Sequence, residues 1–193
     1  MNFRLQIATL EMTFISNNLL DMAFVIFDTE TTGLNPLLGD RIIEIGAVRV
    51  VNGVITDETF EALINPHRIV PTEAINIHGI TNEMLKTAPD AAQVIPEFLK
   101  FIGDDTLVAH NAEFDMGFLE NELKLLNLGV SLPSSLCTVK LAKIKFPDLP
   151  RYNLDALSKH LGMTIERRHR ALDDVLATAE LFTYVHEQAP TLF

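Results

Sequence analysis

Cysteine is almost missing from this 193-residue chain: Cys137 stands alone, so no internal disulfide can form. A lone thiol fits a reducing cytoplasm, and the plain reading of Cys137 is an isolated buried thiol rather than a nucleophile. Long apolar runs are missing too. The longest are short stretches such as 23–27, far below the length that spans a bilayer, which excludes a membrane helix. Repeats, low-complexity tracts and interdomain linkers are absent, and the length suits one domain with a sizeable core. Basic residues are scarce, 15 against 26 acidic, giving a net charge of −11 that argues against a polyanionic partner.

The distribution of charge argues the other way. Residues 1–139 hold 7 basic and 19 acidic side chains, a net of −12. Residues 140–170 hold 8 basic side chains (Lys140, Lys143, Lys145, Arg151, Lys159, Arg167, Arg168 and Arg170) against 3 acids, a net of +5. Such a segment is either a solvated face or a surface that tracks phosphates beside a metal site, where bound cations cancel part of the acidity.

Residues 1–22 stand apart as an N-terminal extension. Arg4 precedes a broken apolar stretch that Glu11 interrupts, a poor signal peptide, and Met22 directly precedes the first strand. The functional start is therefore expected at or near Met22. Phe24 to Asp28 reads as a buried strand closed by a turn, and 42–51 and 54–64 as two more, split by the hairpin signal Asn52-Gly53. After Asn65-Pro66 and Pro71 come a short helical stretch and a capped start at Thr81. Then follow a helix over 91–102, a strand over 106–109, a helix over 112–126 and a strand near 136–139. Two short helices within 139–162 and a long one over about 170–187 complete the chain. A meander of strands followed by alternating helices and strands predicts α/β with a mixed sheet.

Three groups of residues carry chemistry. Asp28 and Glu30 are two apart in a strand, so both carboxylates leave one face, where they repel unless cations sit between them. Hard oxygen ligands on a stiff support are what a divalent metal needs. Asp115 falls in the first turn of the 112–126 helix, where it either serves such a site or complements the helix dipole, as Glu113 does equally well. His169 and Asp174 are five apart and do not share a helix face. That puts His169 in the loop before the last helix and Asp174 in its first turn, converging on one site.

These residues resemble the DEDDh exonucleases, the family of the epsilon-type proofreading subunit of bacterial DNA polymerase III. Residues 27–33 (FDTETTG) look like its first motif, His110-Asn111 with Phe114-Asp115 and Phe118-Leu119 like its second, and His169-x-Ala171-x-x-Asp174 like its third. Residues 43–47 (IEIGA), 78–80 (HGI) and 153–157 (NLDAL) are also familiar from epsilon-like proteins. The likeness runs from residue 23 to about 186. It implies a ribonuclease H-like fold, a five-stranded mixed sheet of an antiparallel meander plus parallel strands, flanked by helices. It divides the chain into the 1–22 extension, an exonuclease domain over 23–187 and a short tail, 188–193.

The resemblance makes Asp28, Glu30, Asp115 and Asp174 ligands of two divalent ions, Mg²⁺ or Mn²⁺, about 4 Å apart. It makes His169 the general base, and an ordinary imidazole, titrating near about 6.5, is mostly neutral around pH 8, so activity rises through neutral pH. Thr31, Thr32, Gly33 and Leu34 line the terminal-nucleotide pocket, with His78, His110 and Asn111 near the nucleotide. His67, His160 and His186 match nothing and read as surface residues. The reaction implied is 3′→5′ removal of nucleoside 5′-monophosphates from DNA ends, single-stranded ends above all. The alternatives are an RNA-trimming relative, such as oligoribonuclease or ribonuclease T, and a non-catalytic module bound to a polymerase. Only six residues follow the last helix, which favours a free-standing enzyme or a partner, such as a polymerase subunit, docked on the folded surface. Removal of residues 1–21 is expected to leave folding and activity intact, checked by thermal melting and a nuclease assay of the shortened chain.

Overall fold

A computed structural model describes residues 22–163 and 169–187. The expected 1–22 extension apart from Met22, the cations Arg167 and Arg168, and the tail 188–193 lie outside these residues.

The central strand is β1 (Ala23–Thr31). Its residues 24–27 are buried on both faces, which is why they form a continuous β-branched and aromatic run rather than an alternating one. Antiparallel pairing joins β1 to β2 (Ile42–Val51), and β2 to β3 (Val54–Leu63). Parallel pairing joins β1 to β4 (Thr106–Ala109), and β4 to β5 (Ser135–Cys137). The sheet therefore has five strands in the order β3-β2-β1-β4-β5, the mixed architecture the sequence predicts. Asn52 and Gly53 turn the β2–β3 hairpin with φ of 54° and 77°, the double left-handed conformation that two-residue hairpins favour.

Seven helices of the described residues flank the sheet: α1 (Thr72–His78), α2 (Asn82–Leu85), α3 (Ala91–Ile102), α4 (Ala112–Leu125), α5 (Thr138–Lys145), α6 (Leu154–Leu161) and α7 (Ala171–Glu187). One core lies under α3 and α4, where Phe27, Ile45, Phe98 and Phe118 are buried together. The other lies under α5, α6 and α7, built from Phe24, Ile26, Leu157 and Phe182. Thr81 caps α2 as expected, its hydroxyl accepting the Met84 N–H at 3.3 Å.

Two boundaries differ from the sequence reading. β1 does not stop at Asp28 but runs on to Thr31, because pairing with β2 continues through Glu30 opposite Glu44 before the register shifts. β5 ends at Cys137, and Thr138 already opens α5. Cys137, expected buried, is only partly so.

The contact that positions the site is between α7 and β2. Gly46 pairs with Asp28 across the sheet. A Cβ there would lie 2.5 Å from the Leu172 amide nitrogen and 2.6 Å from the Ala171 carbonyl carbon. The first turn of α7 thus rests directly on the strand beside the acids, and only glycine leaves room for it. Gly46→Ala must push α7 away and is expected to lower stability by about 1–3 kcal/mol, the usual cost of overpacking, read as a drop in the denaturant midpoint.

Candidate active site

β1 aims its alternate side chains at opposite faces of the sheet, so Asp28 and Glu30 share the α7 side while Thr29 faces α4. Here the chain brings Glu30, His169 and Asp174 together: one ligand atom from each lies within 4.8 Å of the other two. His169 reaches this point from a left-handed backbone, φ 62°, which strains a non-glycine residue. Its N–H donates to Asp174 Oδ2 at 3.2 Å, tying the loop to the first turn of α7. Asp28 belongs to the same strand face but not to this tight group.

Asp115 meets β1 from its other side, at Thr29. It is 2 % exposed, and one of its oxygens accepts both the Thr29 N–H (3.0 Å) and the Thr29 hydroxyl (2.7 Å). Burial pushes its carboxyl up to about 7, against the opposing pull of those two bonds. The residue between Asp28 and Glu30 is therefore the residue that holds Asp115.

A cavity of about 340 Å³ opens beside Glu30. Thr31, Thr32, Gly33, Leu34 and His78 line it, with Leu34 83 % exposed. Thr32 contributes shape rather than a free hydroxyl. It is fully buried, its hydroxyl donating to Asp40 (3.2 Å) and accepting from the Arg41 N–H (3.0 Å). A Cβ at Gly33 would lie 2.4 Å from the Asp40 carboxylate, so a larger residue there must displace that side chain. His78 is buried, its Nδ1 accepting the Ile80 N–H at 3.0 Å. Burial lowers its pKa, outweighing the nearby Glu44 carboxylate, so the ring is neutral.

His110 and Asn111 do not line this cavity. His110 Nδ1 lies 2.9 Å from the Thr138 hydroxyl, joining β4 to α5. Asn111 is exposed, with φ 70°, and starts α4. Of the histidines expected at the surface, His67 is exposed beside Asp90 and His160 is exposed against Phe146, whereas the side chain of His186 lies outside the description. A larger hollow, about 410 Å³, lies between α4 and α5 around Met116, Cys137 and Lys140, and it holds none of the clustered acids.

Sequence reasoning missed several residues. Glu73, Ala74, Ile77 and Phe114 also line the cavity; Phe114 reads as a core residue from helical spacing alone. Glu44 is the most consequential. It is fully buried, and its signal was an acid inside the apolar run 42–48.

The α/β sheet thus carries a carboxylate–imidazole cluster at the end of its central strand. The chain belongs to the exonuclease family, whose description matches residues 25–182. It is 46 % identical over 164 residues to the DNA polymerase III subunit epsilon of Rickettsia typhi, covering 82 % of this chain and 71 % of that one. It is 47 % identical over 164 residues to a DNA polymerase III subunit epsilon-like protein of Rhodobacter capsulatus, covering 83 % of this chain but only 23 % of that one. Among solved structures it matches exonuclease X in complex with 5′ overhanging duplex DNA, with 32 % identity, a TM-score of 0.70 and coverage of 85 % and 91 %. A zinc-bound E. coli ExoI–ssDNA complex shares the ribonuclease H-like fold at 22 % identity and a TM-score of 0.77, covering 90 % of this chain and 42 % of that one.

Asp115 yields a pH signature. With the folded pKa near 7 and an unfolded value of about 3.9, the folded state holds a proton that the unfolded state releases between these pH values. Stability therefore falls as pH rises from about 4 through 7, and the loss is complete only above the folded pKa. In EDTA, Asp115→Asn is expected to remove this dependence, so that its melting temperature gains on the wild type across that window.

Proposed function

We propose that the chain is a DEDDh 3′→5′ exonuclease that removes nucleoside 5′-monophosphates from DNA 3′ ends in a proofreading or repair role. The observation that carries this reading is the convergence of Glu30, His169 and Asp174 beside a cavity of nucleotide size. The donor set fits divalent cations. Glu30 and Asp174 bring carboxylate oxygens within 4.8 Å of each other, a repulsive arrangement that a cation relieves. Asp28 and Asp115 complete the four acids that would hold two ions, Mg²⁺ or Mn²⁺. When bound, such ions lower the pKa of water and offset charge on a departing 3′-oxygen.

The chain's own groups do the rest. The apolar walls formed by Leu34, Ile77 and Phe114 take the terminal base and sugar without reading base identity. His169 accepts the proton of the attacking water as its oxygen bonds to phosphorus. The bond from phosphorus to the 3′-oxygen of the penultimate nucleotide breaks, leaving a shortened strand and a free 5′-monophosphate. Exposed Lys143, Arg151 and Lys159 on and between α5 and α6 offer charges to the phosphates of the incoming strand. Lys140 is already paired with Glu113 at 3.0 Å. The names of the similar polymerase III subunits favour DNA over RNA and a polymerase subunit as a partner.

Digestion of 5′-labelled single-stranded DNA and of matching RNA, with Mg²⁺, Mn²⁺ or EDTA, tests the reading. The expected outcome is a metal-dependent ladder that shortens from the 3′ end, faster on DNA. Asp28→Ala should slow it by at least about a thousandfold, roughly 4 kcal/mol of transition-state stabilisation. A wild-type rate in EDTA, or cleavage from the 5′ end, would sink the proposal.

A further inference from the structure

Glu44 takes no part in the reading above, yet it has the most completely built environment of any acid in the described residues. It is fully buried on β2, directly opposite Glu30. An unpaired carboxylate there would be costly to bury and would repel Glu30. Arg170 answers that charge. Its Nε donates to both Glu44 oxygens (3.0 and 3.2 Å), its Nη2 donates to Oε1 (2.5 Å), and the Ala171 N–H donates to Oε2 at 2.9 Å. The single carboxylate thus grips a guanidinium fork and the first backbone amide of α7 together.

The gripped residues adjoin His169, whose backbone is in the left-handed region and needs its surroundings to hold it there. The Arg170 carbonyl also accepts the Asp174 N–H at 3.0 Å. From Glu44 the linkage therefore runs through Arg170 to both His169 and Asp174. We propose that Glu44 is a positioning residue: through Arg170 it fixes the His169 ring beside Glu30 without touching substrate itself. This rests on His169 being the general base, and a misplacement of the ring by about 1 Å is enough to cost roughly a hundredfold in rate.

The test is a double-mutant cycle on the full chain. Arg170 is part-exposed, so Arg170→Ala is the gentler lesion; Glu44→Gln retains an acceptor for the Ala171 N–H while losing the charge. Circular dichroism first establishes that each variant folds. Initial rates on 5′-labelled single-stranded DNA at saturating Mn²⁺ then give kcat and KM. Arg170→Ala and Glu44→Gln should each lower kcat by about ten- to a hundredfold, with KM within about twofold. Added to His169→Ala, either should cost less than about threefold, because the group it positions is already gone. Arg170→Lys, which keeps the charge but not the fork, should recover part of the rate. Equal losses on both backgrounds, or a change in KM alone, would overturn the positioning role while leaving His169 as base. An undiminished rate for His169→Ala alone would instead remove the base assignment, and this proposal with it.

Discussion

At Gly46 two backbones meet with no side chain between them, and the arrangement of Glu30, His169 and Asp174 depends on that contact. Everything on the active edge is measured from β1. Its pairing with β2 sets Gly46 against Asp28 and Glu44 against Glu30, so the glycine that admits α7 and the acid that grips its start are neighbours on one strand face. The sheet supplies the stiffness, and α7 supplies groups that no strand could place at that distance.

Four acids of the described residues are buried; Asp174 accepts the His169 N–H, and the other three are handled in different ways. Glu122 accepts from Arg41 Nε and Nη2, both at 2.7 Å, which closes the 32–41 loop against α4. Glu44 is matched by Arg170 and a helix amide. Asp115 receives neutral donors from Thr29, and its charge is therefore the one that burial suppresses. The two arginine-matched acids build the frame; the acid without such a match belongs to the site. That division follows from the cost of burying charge: a guanidinium offsets it at the frame acids, whereas at Asp115, held by neutral donors, burial raises the pKa.

Much of this was legible in the sequence, for identifiable reasons. The Asn52-Gly53 hairpin, the start of α2 at Thr81 and the face shared by Asp28 and Glu30 all follow from short-range rules that tertiary packing leaves intact. His169 in a loop with Asp174 in the following turn was legible from their spacing alone. What the sequence did not yield was long-range. The continuation of β1 past Glu30 to Thr31, across a register shift, depends on β2 as its partner. The engagement of the Thr32 hydroxyl by Asp40 and Arg41, and the place of Phe114 in the cavity wall as well as against the core, depend on how elements meet. Glu44 did leave a trace, since an acid in an otherwise apolar strand demands a partner, but nothing local names Arg170, 126 residues away.

That separation has a consequence for the making of the protein. Glu30 lies early in the described chain and Asp174 late, so a chain still emerging from the ribosome carries the strand, the cavity walls and Asp115 long before it carries His169 or α7. The cluster of Glu30, His169 and Asp174 is complete only when α7 rests on Gly46. A chain interrupted before residue 169 therefore carries the sheet, the cavity walls and Asp115 but lacks two of the three clustered groups.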